Sequence, residues 1–472
     1  MIDLSKKIVQ RIQRGAEMNR NVNNQDQSSE RLLRILFFTL IISVMNATIF
    51  NVVLPLISHE FKLSASQVSW VTTGYGIMYA IGSVTYGKLA DRYRLKDLLT
   101  FGFFVMSLGS LIGMIATQYW MIVAARMLQA AGAAVIPATA MIIPVKYFPP
   151  ENRGKALGTM ASGMALGMAI SPILASFVTG WLGWRLLFCI SFLVLLTLPF
   201  FRKYLNDEPV KVGKMDFLGG FLLAGTIAFV LLGITNSIWI FYLIGLLLLI
   251  LFILRIRTAA EPFIQWSLFQ NKRFTLSVVV ALLAVSLGTG IPFIIPLLLS
   301  NIHHLSPTYI GFILFPGAVA SALLGRTGGK LADQKGNPFL VYLAAIPLWV
   351  AFIVLSIFAG MSPLWIWIFI ILANVGQTFM QVAMFNTVSR TLLEDQAGIG
   401  MGFLQMMTFI AGATSTTLIG KVLDLGSSFQ LNPLQVYSEA TVYSNAFFLL
   451  NVVLLLVVVL YFTLFGINRN QS

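Results

Sequence analysis

The strongest constraint on this chain is its repeated return to apolar runs long enough to cross a bilayer, which takes about 20 residues of helix. Fourteen such runs can be marked, at about residues 35–57, 69–90, 98–116, 119–143, 156–180, 184–201, 217–236, 238–256, 275–299, 308–329, 339–360, 363–386, 399–421 and 445–466. No alternating apolar–polar pattern supports a β-barrel, so the expected fold is an all-α integral membrane protein with 14 transmembrane helices. Composition agrees where it matters. Of the 472 residues 58% are hydrophobic and only 10% are charged, too few charges to cover a water-soluble surface. The single cysteine, Cys189, excludes an intramolecular disulfide.

A net charge of +14 would point to nucleic acid in a soluble protein, but here the basic residues sit in short connections between apolar runs. Of the 31 lysines and arginines, 27 fall in the two tails and the even-numbered connections. Only Lys62, Arg185 and Lys421 fall in odd-numbered ones, and Arg126 lies within the fourth run. That asymmetry predicts a multi-pass protein of the plasma membrane with both termini cytoplasmic, the lipid bilayer as its partner and no nucleic acid. Residues 1–34 read as a cytoplasmic basic tail without the apolar core of a cleavable signal. Within it, Ile8, Val9 and Ile12 stand beside Lys7, Arg11 and Arg14, a pattern open to a short interfacial helix or to a solvated tail.

An internal repeat organises the chain. YGKLADRYRLK at 86–96 follows the second run, and GGKLADQKGNP at 328–338 follows the tenth. GKLAD recurs unchanged, pairing Gly87 with Gly329 and Asp91 with Asp333 at an offset of 242 residues. The expected organisation is two six-helix halves in the same orientation, 35–201 and 275–466. A connector at 202–274 carries two extra transmembrane helices, and 467–472 form a cytoplasmic tail. Parallel repeats of this kind are a transporter architecture with the substrate path between the halves.

Arg126 is the only charge well inside a run; a central arginine costs about 2.5–3.5 kcal/mol to insert, so it should face a polar cavity or a partner. Gln129 shares its helical face. Asn46 and Asn51 in the first run, and Asn374, Gln377 and Gln381 in the twelfth, are amides that must turn away from lipid. They either line the cavity or hold helices together. Gly87, Asp91, Arg92, Gly329 and Asp333 sit at cytoplasmic helix ends, where contacts that form in one conformation and break in another would make a gate. Gly158 and Gly167 allow close helix packing and Pro172 a kink. Neither metal-ligand spacing nor a nucleophile motif accompanies the three histidines, His59, His303 and His304, so no cofactor or metal is expected and a membrane-embedded enzyme is a remote alternative. GSVTYGKL at 82–89 has Leu89 where a phosphate-binding loop needs Ser or Thr.

These motifs resemble the major facilitator superfamily, in its fourteen-helix drug/proton antiporter branch, and within it the Gram-positive tetracycline-efflux transporters. GKLADRYRLK is similar to the loop after the second helix, with Arg94 in place of its usual Gly. RMLQAAGAAVIPA at 126–138 resembles the fourth-helix motif with its intramembrane arginine. PPENRGKALG at 149–158 and GWRLLF at 183–188 resemble the segments that follow. NATIFNVVLP at 46–55 resembles the first-helix motif, with Asn46 replacing its acid. The fifth-helix antiporter motif keeps Gly158, Gly167 and Pro172, but Ser171, Ala175 and Ser176 replace glycines.

The resemblance implies a secondary-active exporter of a small amphipathic or cationic molecule, working by alternating access, with protons as a candidate coupling partner. An uncoupled or potential-driven facilitator of a metabolite or lipid is the alternative. None of the seventeen acids falls in the middle of a run, so the sequence supplies no obvious proton carrier.

Overall fold

A computed structural model describes residues 29–90, 92–148, 150–205, 216–259, 262–392 and 397–466. Most of the expected amino tail, the carboxyl tail at 467–472 and Asp91 lie outside the described residues. The structure is helical, with no strand among the described residues. Its long helices are α1 (Ser29–Phe61), α2 (Trp70–Leu89), α3 (Leu95–Met114), α4 (Tyr119–Pro144), α5 (Pro150–Leu182), α6 (Trp184–Tyr204) and α7 (Phe217–Asn236). They continue as α8 (Trp239–Thr258), α9 (Lys272–Asn301), α10 (Pro307–Lys335), α11 (Asn337–Ile357), α12 (Pro363–Ser389), α13 (Ala397–Asp424) and α14 (Thr441–Tyr461).

Among the described residues thirteen helices are long and apolar enough to cross a membrane. α2 has the length, but its Thr, Tyr, Ser and Gly residues leave it less apolar. The reason is its position: α2 packs on α4 and on α13, so it meets protein where other helices meet lipid. α8 is the opposite case, with only 17% of its apolar window buried and Trp239, Leu243 and Leu246 facing outward.

Helices α1 to α6 pack among themselves, chiefly α3 on α4 and on α6, α2 on α4, and α5 on α1 and α6. Helices α9 to α14 do likewise, with α12 against α9, α10 and α11. α7 and α8 form a hairpin on the outside, and α7 alone of the two bridges α2 and α13. Asp216 ties this hairpin down. Its buried carboxylate accepts from the backbone N–H of Gly219 (3.0 Å) and Phe263 (3.1 Å) and pairs with Arg255 Nε at 2.9 Å. Burial alone would raise its pKa, but these donors hold it below the usual carboxylate range.

One interruption matters for the site. α1 tightens into a 3-10 turn at Ile49–Val53. Pro55 explains it, because proline has no N–H to return to the carbonyl of Asn51.

Two seams join the halves: α5 against α10, and α2 against α13. The end of the molecule carrying the connections near residues 88–96 and 326–336 is the basic end, and the end carrying 62–69, 302–306 and 425–437 is the distal end. Both seams are closed distally. Ser176 donates to the Pro307 carbonyl at 2.9 Å, Thr73 and Thr417 hydroxyls share a hydrogen bond at 3.1 Å, and the Tyr79 ring lies 4.7 Å from that of Phe409. Towards the basic end the same helices carry glycines that face open space. A methyl group added at Gly87, Gly158, Gly329 or Gly402 would meet nothing within 4 Å.

Candidate functional site

The site is built around a charge that has no counter-ion. Arg126 is fully buried, and no carboxylate among the described residues pairs with it. Its guanidinium is instead held by carbonyl oxygens from two other helices. Nη1 donates to Asn46 (3.1 Å), Nη2 to Ala47 (3.4 Å) and Nε to Val71 (3.3 Å). The carbon of the guanidinium stands 4.3 Å from the Phe50 ring centre and 4.1 Å from that of Tyr75. Two aromatic faces thus take the place of an anion, and a desolvated cation–π contact is worth about 2 kcal/mol or more.

A second layer fixes the first. Gln129 accepts from Arg126 Nη1 at 2.9 Å through Oε1, as a partner one turn away on α4 should. Its Nε2 donates to Ser110 of α3 and Ser191 of α6, both at 2.8 Å, and Ser191 donates to Asn46 Oδ1 at 2.9 Å. The network therefore runs through α1, α2, α3, α4 and α6. Three buried polar atoms beside it are unpartnered among the described residues: Ser43 Oγ, Asn46 Nδ2 and the Tyr75 hydroxyl. Tyr75 also stacks on Tyr79 at 5.7 Å, and Tyr79 meets Phe409 edge-to-face, so an aromatic ladder leads from Arg126 across the seam to α13.

Asn46, Arg126 and Gln129 are thus brought together. Asn51 is half-buried in the 3-10 turn and makes no side-chain hydrogen bond among the described residues. The amides of α12 stay apart from Arg126. Asn374 donates back to the Ile370 carbonyl at 2.9 Å, Gln377 donates to the Ala284 carbonyl of α9 at 3.0 Å, and Gln381 is exposed. Gln377 Oε1 is buried without a partner. Phe50, Tyr75, Ser110 and Ser191 belong to the site but were not singled out from sequence, because nothing local marks one aromatic or serine among many as facing an arginine on another helix.

Of the expected gate residues Asp91 lies outside the described residues, and the Arg92 guanidinium stands 5.7 Å from the ring centre of its neighbour Tyr93. Asp333 and Arg92 are exposed, and Asp333 makes no hydrogen bond or ion pair among the described residues. Gly167 packs hard, since a Cβ there would stand 2.7 Å from the Ile41 carbonyl of α1. Gly158 meets open space, and Pro172 continues α5 without ending it.

The distal closure contains a contact between halves that is stronger than the rest. The turn Ser64–Gln67 is a capping box opening the short helix Ala65–Val68. Its two remaining free N–H groups, on Ala65 and Ser66, donate to Asp424 at the end of α13, at 2.8 and 3.1 Å. Asp424→Ala is expected to cost distal closure about 0.5–2 kcal/mol, the range for losing a helix cap. In a Cys189→Ser background, spin labels at Thr117 and Ser362, exposed on opposite halves at this end, should report the larger open fraction; an unchanged distance distribution would show the contact to be incidental.

The sequence matches the Major Facilitator Superfamily over residues 36–416. The chain belongs to that superfamily. It is 24% identical over 394 residues to the riboflavin transporter RibZ of Clostridioides difficile (strain 630), covering 82% of this chain and 86% of that one. It is 26% identical over 332 residues to multidrug resistance protein 3 of Bacillus subtilis (strain 168), covering 67% of this chain and 64% of that one. Among solved structures it superposes on a bacterial homologue of the human lysosomal transporter Spinster, in an inward-facing and unoccupied conformation. The TM-score is 0.67 at 15% identity, over 93% of this chain and 97% of that one. The protein is therefore a multi-pass membrane transporter of this superfamily, with the all-α membrane fold expected from its apolar runs.

Proposed function

We propose that the protein is a secondary-active exporter of the plasma membrane, of the drug/proton antiporter branch, with both termini cytoplasmic. Its two six-helix halves, 35–201 and 275–466, rock about the seams. One observation supports this most: hydrogen bonds join both seams distally, while the glycines of the same helices towards the basic end face open space. The positive-inside rule makes the basic end cytoplasmic, so this conformation is the one that loads from the cytoplasm. The GKLAD loops, with Gly87, Asp91, Arg92, Gly329 and Asp333, would then close the cytoplasmic side in the opposite state.

The substrate reading is a small amphipathic molecule with an aromatic plane. The ladder Tyr75–Tyr79–Phe409 offers stacking surface at the seam, and Ser43, Asn46 and Tyr75 offer unpaired polar atoms beside it. A substrate cation would have to stay clear of Arg126, which carries an uncompensated charge.

The facilitator reading keeps one observation in its favour. The described acids, among them Glu30, Glu60, Asp97, Asp216, Asp333, Asp424 and Glu439, all lie at helix ends or in connections, so no mid-span carboxylate is seen to carry a proton.

Two measurements test the proposal. Single cysteines at Arg94 and Lys335 should label only from the cytoplasm, and at His303 and Gln430 from outside; external labelling at Lys335 in intact cells would overturn the topology. Flux into proteoliposomes, with the pH gradient and membrane potential imposed separately, should show saturable uphill transport. A charged substrate moved without proton exchange would respond to potential by about 2.3 kcal/mol per charge per 100 mV. Purely downhill flux would favour the facilitator.

A further inference from the structure

All three histidines of the chain stand at the distal end, on both sides of the line between the halves. His59 is near the end of α1, followed by Lys62 in a left-handed conformation (φ 52°). His303 and His304 form the turn between α9 and α10, with His304 also left-handed (φ 52°). Between them lies a cavity of about 400 Å³, walled by Ser58, His59 and Lys62 on one side and by Ser300, Asn301 and His304 on the other.

No acid lines this cavity. The side chains of His59, Lys62 and His304 make no hydrogen bond or ion pair among the described residues, and His303 Nε2 is buried without a partner. Of the acids nearby in sequence or on packed elements, none lines the cavity. Glu60 is held by Trp184 at 2.8 Å and Arg185 at 2.6 Å, Asp424 caps Ala65–Val68, and Glu439 sits in the turn that precedes α14. The other cation here, Lys421, donates to Ser237 at 2.7 Å. Asn301 donates to the Tyr443 hydroxyl at 2.9 Å, a neutral contact throughout the physiological range.

We propose that the cavity between His59, Lys62 and His304, with the adjoining His303, is a proton-binding site that opens the distal face when it is charged. With the imidazoles neutral, Lys62 is the one charge and the halves can stay together. Each proton adds positive charge on one side of the line or the other, with no carboxylate to absorb it, and separation of the halves relieves the repulsion. Linkage gives the same sign. Burial and the neighbouring His304 hold the His303 imidazole below the ordinary histidine range in this closed form. The closed form therefore binds fewer protons than an open one in which the ring meets water, so acid favours opening. The window begins near the ordinary histidine value, about pH 6.5, and extends below it. This rests on the exporter reading only in calling the distal face external. On that reading, external acid promotes the outward-open state without any mid-span acid.

The experiment uses the full-length Cys189→Ser protein in lipid nanodiscs, without substrate or gradient, with spin labels at Thr117 and Ser362. From pH about 8 to about 5.5 the ratio of open to closed distal distances should rise several-fold, the direction set by an open form that binds more protons than the closed one. The triple variant His59→Gln, His303→Gln, His304→Gln should flatten this response. Lys62→Glu, which leaves every histidine in place and supplies the missing carboxylate, should suppress it and serves if the triple variant folds poorly. A wild-type ratio that does not change with pH would overturn the proposal, as would an acid response that survives in both variants. Closure on acidification in the presence of inorganic phosphate would also overturn it and identify an anion site instead. Sidedness plays no part in nanodiscs, so a failed topology or flux experiment would leave this result standing, and the reverse.

Discussion

Arg126→Met should abolish transport while leaving the protein folded and close to wild-type thermal stability. The guanidinium is buried without a carboxylate, so removing it strands no partner charge, the loss that makes breaking a buried ion pair costly. Methionine can fill the slot between Phe50 and Tyr75, and its sulfur suits aromatic neighbours. What it cannot do is bind the carbonyls of Asn46 and Ala47 on α1 and of Val71 on α2 at once. Arg126→Ala removes the same bonds but also leaves a hole, which should lower stability by about 2–5 kcal/mol, the range for large-to-alanine changes in a packed core. Arg126→Lys should recover less than about a tenth of the flux, since one ammonium lacks the planar fork that spans two helices. Flux in proteoliposomes and thermal unfolding in detergent separate the two effects. Full transport by the methionine variant would show that the charge has no part in substrate handling or in coupling α1, α2 and α4.

Much of this arrangement can be read from local sequence, and the remainder cannot for a definite reason. The fourteen apolar runs correspond to helices because lipid tolerates no other way of pairing the backbone of a single span. Arg126 and Gln129 are three residues apart on one helix, so their contact follows from helical geometry. The Phe50–Arg126–Tyr75 sandwich follows from how three helices cross, and the chain has fifty phenylalanines and tyrosines that look alike to any local rule. The amides of α12 show the same limit from the other side. Their need for partners is legible, but Asn374 and Gln377 satisfy it on the carbonyls of Ile370 and Ala284 rather than at Arg126. The contact of Asp424 with Ala65 and Ser66 joins residues some 359 positions apart, and neither the capping box nor the terminal acid names the other.

Gly311→Val should drive the distal face open and stop transport. Gly311 lies on α10 where it crosses α5, and a Cβ there would overlap the Ser176 hydroxyl and the Pro172 carbonyl. The hydroxyl could rotate away, although it now donates to the Pro172 and Pro307 carbonyls. The Pro172 carbonyl belongs to the helix backbone and cannot move unless α5 moves. Ser176 already takes up room on the α5 side of the seam, so Gly311 supplies what closeness remains. Overpacking a tight contact costs about 1–3 kcal/mol. Since the strain exists only when the seam is closed, nearly all of it biases the equilibrium towards the open distal state, by a factor of roughly five to a hundred. Gly158→Ala is the matched control on α5, since its Cβ meets nothing within 4 Å and should leave the distal distances unchanged. The Thr117–Ser362 label pair reads both variants. If Gly311→Val keeps the closed distance and normal flux, α5 and α10 do not form a seam that must shut this tightly, and the rocking mechanism built on it falls.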